Sequence, residues 1–600
     1  MPDTIDAALR LSPSVTSLAK TDDEADSPNE VRHDVHTERA QGGVARIEDL
    51  YKVFNGKKIW LLYAAIGLIV YASSLELNTT PNYLSFATSA YGRHAFLGTI
   101  SSANSILSAV SLPFIAKLAD TVSRPAAYLF CLVWYILGLV LIAASKDVDT
   151  LAAGQVLYTI GCYGVQLTTS IITADITSTQ WRGLTAALVA LPNLVNAFVS
   201  GYIVEDITLT NWRWGYGMFG IILPVCFAPT LIVLFVADAK AKKLSVDPGQ
   251  SSANTMRAVE GEQRGIVARV GYYLTLIDAV GLVLIGFGFS LVLLPFNLAN
   301  GARGGWANPS MIAMEVVGWV ILALFGLWEA KFAKYPLAPM RVFNRTFTCC
   351  ALLNVLYFLS FYLANAYYTS YTYVVRINDW STRDWTFFGR IITVGGCTFS
   401  FAAGAVLRIA KGYKPSLVFG VSMLILGMGI QLYATNRHAT DGPMVMAQVI
   451  ASIGEAFTII ASATAAQASV PHADLATAIA LLSMLTGVGG AVGYTVAGAV
   501  WTKELPVNLA TTILPLVDGN QTVVDAIFGD LVTAAYQPEP IYSAVVEAYN
   551  KTVRLPLFVP ALCVMGIMMV FALATPEMKL GDRHNAVEDK KVDADFRANV

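Results

Sequence analysis

Residues 116–124 read Ala116-Lys117-Leu118-Ala119-Asp120-Thr121-Val122-Ser123-Arg124, a charged interruption between apolar stretches at roughly 97–118 and 126–144. A degenerate copy, Gly404-Ala405-Val406-Leu407-Arg408-Ile409-Ala410-Lys411-Gly412-Tyr413-Lys414, follows the tenth apolar stretch. An acid one turn from a small residue and a basic cluster can hold a helix end and a neighbouring cation. That contact breaks when one part of the protein rocks against another. Asp120, Arg124, Arg408 and Lys411 are therefore expected to gate rather than to touch substrate. The copies lie eight apolar stretches apart, which fits two parallel six-helix bundles with two further helices inserted between them.

Working outward, the 600 residues are 55% hydrophobic and 14% charged, with a mean hydropathy of +0.56. Soluble domains carry about 25% charged residues, so one water-soluble core could not hide this apolar surface. The apolar residues fall in runs of about 20, the length that crosses a hydrocarbon core. Fourteen spans are expected: roughly 59–85, 97–118, 126–144, 151–173, 184–204, 214–236, 277–296, 311–331, 346–370, 388–409, 416–434, 444–467, 475–499 and 555–575. The corresponding domains are a disordered cytosolic tail (1–57), a first bundle (58–236), a cytosolic linker (237–276), two inserted helices (277–345), a second bundle (346–576) and a cytosolic tail (577–600). An exterior loop at about 502–552 interrupts the second bundle.

With the N-terminus inside, about 29 of the 40 Lys and Arg fall in cytosolic segments. An even number of spans puts both termini there. Asn520 and Asn550 head glycosylation sequons in the exterior loop. The seven cysteines all fall in predicted spans and are expected to be packing residues without disulfides. The six histidines are scattered through tails and loops, so no bare-metal site is expected. His94 is either a capture or pH-responsive residue or simply an exposed one. The net charge of -2 argues against a nucleic-acid partner. No nucleophile–base pair suggests an enzyme, and no cofactor is implied.

Ionisable groups inside spans are functional suspects, because lipid cannot solvate them. Glu76 in the first span and Glu455 in the twelfth are the candidates for proton coupling, although Glu76 could also be a rim carboxylate. Glu315, in the eighth span, reads as structural. The ninth span carries Tyr357, Phe361, Tyr368 and Tyr371 close to one helical face. They either line a cavity or form an interfacial aromatic belt. The glycines of the thirteenth span, Gly489 and Gly493 above all, suggest close helix packing.

The charged loop at 116–124 resembles the major facilitator signature. Several further segments together resemble the fungal siderophore–iron transporter family, a fourteen-helix branch of that superfamily. They are Ala174-Asp175 with Trp181-Arg182-Gly183; Pro192-Asn193 with Asn196; Asn211-Trp212-Arg213-Trp214-Gly215; Trp328-Glu329; Tyr335-Pro336 with Pro339; and Tyr368-Thr369-Ser370-Tyr371. The resemblance spans about 58–576. It implies an all-α major facilitator fold and proton-coupled import of a ferric siderophore, by a monomer in the plasma membrane or an endosomal one. Asp175 and Arg182 would then be further gating residues, and the Tyr-rich face would meet the chelate. Gln155 stands where many proton antiporters have Arg, and the Gly-Pro-Gly-Gly pattern of their fifth span is reduced to Pro192 and Gly201. Both departures weaken an alternative reading as a drug or glutathione–proton antiporter. A nutrient receptor that binds without translocating is a further alternative.

Overall fold

The computed structural model describes residues 57–121, 123–175, 182–244, 271, 274–275, 278–299, 305–333, 340–435, 441–470 and 475–577. Their regular elements are helices. The first part comprises α1 (Lys57–Ser89), α2 (Phe96–Thr121), α3 (Arg124–Ala143), α4 (Val148–Asp175) and α5 (Arg182–Leu244). Then come α6 (Ala279–Leu298) and α7 (Pro309–Lys331). The last part holds α8 (Arg345–Asn365), α9 (Tyr368–Arg376), α10 (Thr382–Ala410), α11 (Lys414–Ala434), α12 (Asp441–Ala468) and α13 (Leu475–Ile513). Three short helices, α14 (Gln521–Gly529), α15 (Leu531–Ala535) and α16 (Ile541–Val553), precede α17 (Val559–Ala574). The expected tails lie almost wholly outside the described residues.

Local chemistry sets several boundaries. Ser123 caps α3 by accepting from the Ala126 amide, and Pro125 sits in the first turn, where a missing N–H costs nothing. Asn344 caps α8 by accepting from the Phe347 amide at 2.8 Å. The stretch α5 holds two helices that meet at a break at Asn211, whose φ/ψ is −158°/59°, and they correspond to the expected fifth and sixth spans. Asn211 Oδ1 then accepts from the Trp214 amide and starts the second limb. The expected linker is shortened, because α5 stays helical to Leu244.

Among the described residues, ten helices are long and apolar enough to cross a membrane, against the fourteen spans expected. The other four expected spans coincide with α1, α2, α4 and the first limb of α5. Several of their polar side chains have partners inside the protein, which is how a helix at membrane depth tolerates them. Ser74 donates to Asn193 at 2.8 Å, Asn196 to the Tyr71 carbonyl at 2.9 Å, and Asn104 to Gln155 at 3.2 Å.

α2 packs against α13, and α5 against α10. This contact is reciprocal: the second helix of each half meets the fifth of the other. α6 rests on α2 and α13, and α7 packs chiefly on α6. Trp328 donates to Asp278, the N-cap of α6, at 2.8 Å and so ties the inserted pair together. Glu315 accepts from Trp319 within α7, away from the two halves. Residues 502–552, expected as a loop, are largely helical and packed: α13 continues to Ile513, and α14 to α16 follow.

Candidate functional site

Between the halves lies a cavity of about 410 Å³, lined from α1, α2, α4, α5, α8, α9, α10, α12 and α13. Its wall is mainly hydroxyl, amide and aromatic, with Asn82, Asn104, Gln155, Gln448, Tyr362 and Tyr494 among the lining residues. Tyr362 and Tyr494 stack with ring centroids 4.3 Å apart.

Glu76 is completely buried beside this cavity. Its Oε1 accepts from Thr80 at 2.7 Å and from Tyr158 at 3.0 Å, and its Oε2 accepts from Tyr135 at 2.5 Å. Thr80 and Tyr158 also line the cavity, so the carboxyl is one hydrogen bond away from it. These partners are neutral hydroxyls. A close crossing of α3 and α4 assembles them. A Cβ on Gly138 would meet the backbone of Tyr158, and one on Gly161 the backbone of Tyr135. Without those glycines the two helices could not bring both phenols to one carboxyl.

The second half holds a similar pair. Tyr357 on α8 and Glu455 on α12 lie beside each other, close enough for the phenol to act on the carboxyl. In the first half the carboxyl is on the first helix and one of its phenols on the fourth; here the helices exchange roles. Tyr357 is buried and packs against Phe361, at 5.8 Å between centroids.

Of the four aromatics expected on one face, Phe361 and Tyr368 line the cavity, whereas Tyr357 and Tyr371 are not among its lining residues. Tyr371 stacks on Tyr368 and donates to Asn550 at 2.6 Å, which holds α16. Tyr367 stacks flat on Trp501, 4.3 Å away. Arg390 on α10 lines the cavity and was not among the expected site residues. The signal was a cation inside the apolar run Trp385–Gly396, two residues into the expected tenth span at 388–409.

One end of the cavity is closed by a seam between the halves. His94, expected in an exposed loop, is only 1% exposed. It lies in the turn between α1 and α2, where its ring meets Ser89 Oγ at 3.1 Å and Ser370 Oγ at 3.0 Å. The His94 amide donates to the Gly529 carbonyl, and the Leu531 amide to Ser89 Oγ. Arg213, from the Trp-Arg-Trp segment, donates to Tyr91 at 3.1 Å and to the Ser145 carbonyl at 3.4 Å. It thus clamps two neighbouring turns at this end.

The gating candidates sit at helix ends. Arg124 opens α3 and is buried, while Arg408 and Lys411 are exposed at the end of α10. Lys411 takes a left-handed φ of 50°. Asp120 ends α2, Asp175 ends α4 and Arg182 begins α5; the side chains of these three lie outside the described residues. Asn520 is exposed at the N-cap of α14. Asn550 is inside α16, engaged by Tyr371, with its sequon threonine Thr552 fully buried.

Residues 59–493 match the Major Facilitator Superfamily. The chain is 35% identical to the siderophore transporter fer7 of Mycosarcoma maydis, over 92% of this chain and 85% of that protein. It is 32% identical to the low affinity heme transporter str3 of Schizosaccharomyces pombe, over 91% and 87%. Among solved structures, a bacterial homologue of the human lysosomal transporter Spinster, inward-facing and occupied, superposes with a TM-score of 0.53. That match has 14% identity and covers 87% of this chain and 98% of the other, and it speaks for the fold alone. The chain belongs to the major facilitator superfamily and, within it, to the family of fungal siderophore–iron transporters.

Proposed function

We propose that this protein imports ferric siderophores by alternating access, with protons carried by Glu76 and Glu455. The observation that carries the reading is Glu76, a buried carboxyl held by three hydroxyls and one hydrogen bond from a cavity between two halves. A charge in such a place is costly unless compensated. A group that takes up and releases a proton as the cavity changes sides avoids carrying that cost through the cycle. Glu455 with Tyr357 gives the second half a comparable proton site. Siderophore transporters among the relatives support the cargo.

In this reading residues 58–236 and 346–576 are the two rocking bundles, 277–345 are inserted, and both tails are cytosolic. The gate residues Asp120, Arg124, Asp175, Arg182, Arg408 and Lys411 hold one face closed while the seam at His94 holds the other. The protein works as a monomer in the plasma membrane, or in an endosomal membrane. A second reading, transport of heme, is supported by the 32%-identical relative.

Uptake of radiolabelled iron in cells lacking other carriers tests this. Ferric siderophores should enter faster as the outside is acidified, and free ferric ion should not. Resistance to exported toxins with no chelate entry would make the protein an exporter. Chelate bound at the surface but never internalised would make it a receptor.

A further inference from the structure

Arg390 is the one Lys, Arg, Asp or Glu side chain among the lining residues of the central cavity. It sits on α10 about two turns from the helix start, and it also borders a second recess between α5, α10 and α12. Its Nε is buried without a hydrogen-bond partner. Among the described residues no carboxylate pairs with it. The nearby acids have other partners. Asp384 pairs with Arg383 at 3.6 Å, and Asp441 pairs with Arg376 at 3.6 Å and accepts from Trp380 at 3.0 Å. Glu76 is held by hydroxyls, and Glu455 lies beside Tyr357.

We propose that Arg390 selects the substrate, and that the preferred iron complex carries a free carboxylate in addition to its iron-binding groups. This rests on the transport reading above. A guanidinium whose Nε is buried without a partner is expensive to keep unpaired, and an anion arriving in the cavity supplies the missing partner. Its planar fork matches a carboxylate with two parallel hydrogen bonds, geometry that a neutral amide or hydroxamate oxygen does not offer. The remaining wall is neutral, and its stacked phenols and amides suit the uncharged body of such a complex. Two sources share this chemistry: a siderophore with an uncoordinated carboxylate, and heme with its propionates.

The test compares three probes: a neutral ferric trihydroxamate, a ferric siderophore with a free carboxylate, and hemin. Uptake is measured in cells and binding by quenching of tryptophan fluorescence on the purified full-length protein. Arg390→Gln is expected to raise the KM and Kd of the carboxylate-bearing complexes by at least about tenfold, the scale of a lost charge-assisted hydrogen bond. The neutral complex should change less than about twofold, and Arg390→Lys should restore part of the preference. Dependence confined to hemin, or to the siderophore, identifies the source. Equal losses for all three complexes would overturn the proposal and make Arg390 part of the transport cycle itself. Unchanged selectivity would overturn it too. If Arg390→Gln does not reach the membrane folded, the Lys variant carries the comparison: wild-type selectivity in it counts against a bidentate fork. Selective binding without uptake of any probe would uphold Arg390 while removing the transport reading.

Discussion

The chemistry of Glu76 depends on being alone among neutral groups. Three hydroxyl donors can serve its carboxylate, and none of them can neutralise it. Glu76→Gln keeps the shape and removes the proton. It should abolish acid-stimulated iron uptake while leaving surface abundance within about twofold, measured by surface biotinylation. Uptake that still follows external pH in this variant would remove Glu76 from coupling. Tyr135→Phe should act in the same direction but more weakly, since a hydrogen bond to a charged group is worth about 1.5–3 kcal/mol. Glu76 was legible in the sequence because a carboxylate stands out in an apolar run. Its phenols were not, because Tyr135 and Tyr158 reach it only through the crossing of α3 and α4. Arg390 escaped because it lies near a helix end, where sequence alone cannot separate a wall residue from a rim residue. The two sequons also differ once folded. Asn520→Gln should remove one glycan-sized mobility shift in an endoglycosidase assay, and Asn550→Gln should remove none. The reverse result would mean that α16 is modified before it docks.

Among the elements, the segment before α17 departs most from its expectation. Its length was legible, but its helicity was not, because its apolar positions face the turn at His94 and the α9 helix rather than lipid. Tyr542 donates to the carbonyls of Val374 and Val375, and Tyr371 to Asn550, so α16 is fixed to α9. α14 and α15 are fixed to the first half through His94 and Ser89. Burial pushes the His94 imidazole down to about 4 from its ordinary 6.5; the Ser85 carbonyl and the charge on Asp530 pull the other way and are outweighed. The open, hydrated histidine binds a proton below about pH 6.5, and the buried one does so only near 4. The seam is therefore fully stable above pH 6.5 and weakens as pH falls towards 4, by about 3 kcal/mol over that window. Hydrogen exchange in residues 521–535 should quicken over the same range. His94→Asn, which keeps a polar side chain but does not titrate, should flatten that dependence; an unaltered acid response would exclude His94 as its source.

At the scale of the whole molecule, the parallel repeat was legible from two charged loops eight spans apart, but the contact surface between the halves was not. Between α2 and α13 it is built from small and polar residues that carry no periodic signal of their own, and between α5 and α10 Phe198 and Tyr202 meet Phe387. A Cβ on Gly489 or Gly493 would strike the carbonyls of Val355 or Leu359, so α13 lies close against α8 within its half. Its other face meets α2, where Ser102 Oγ and Thr495 Oγ1 are 2.6 Å apart. If the halves rock, this pair must separate in part of the cycle, because the α2–α13 seam cannot stay closed along its whole length while the cavity opens at that side. Replacing both residues by Cys, in a background whose seven native cysteines have been removed, brings two thiols near disulfide distance. Oxidation should cut uptake at least about tenfold, and a reducing agent should restore it. Binding of the chelate to the locked protein should survive, since neither residue lines the cavity. Full uptake by the cross-linked protein would mean that the halves do not part along α2 and α13. The substrate would then need a path that leaves this seam closed.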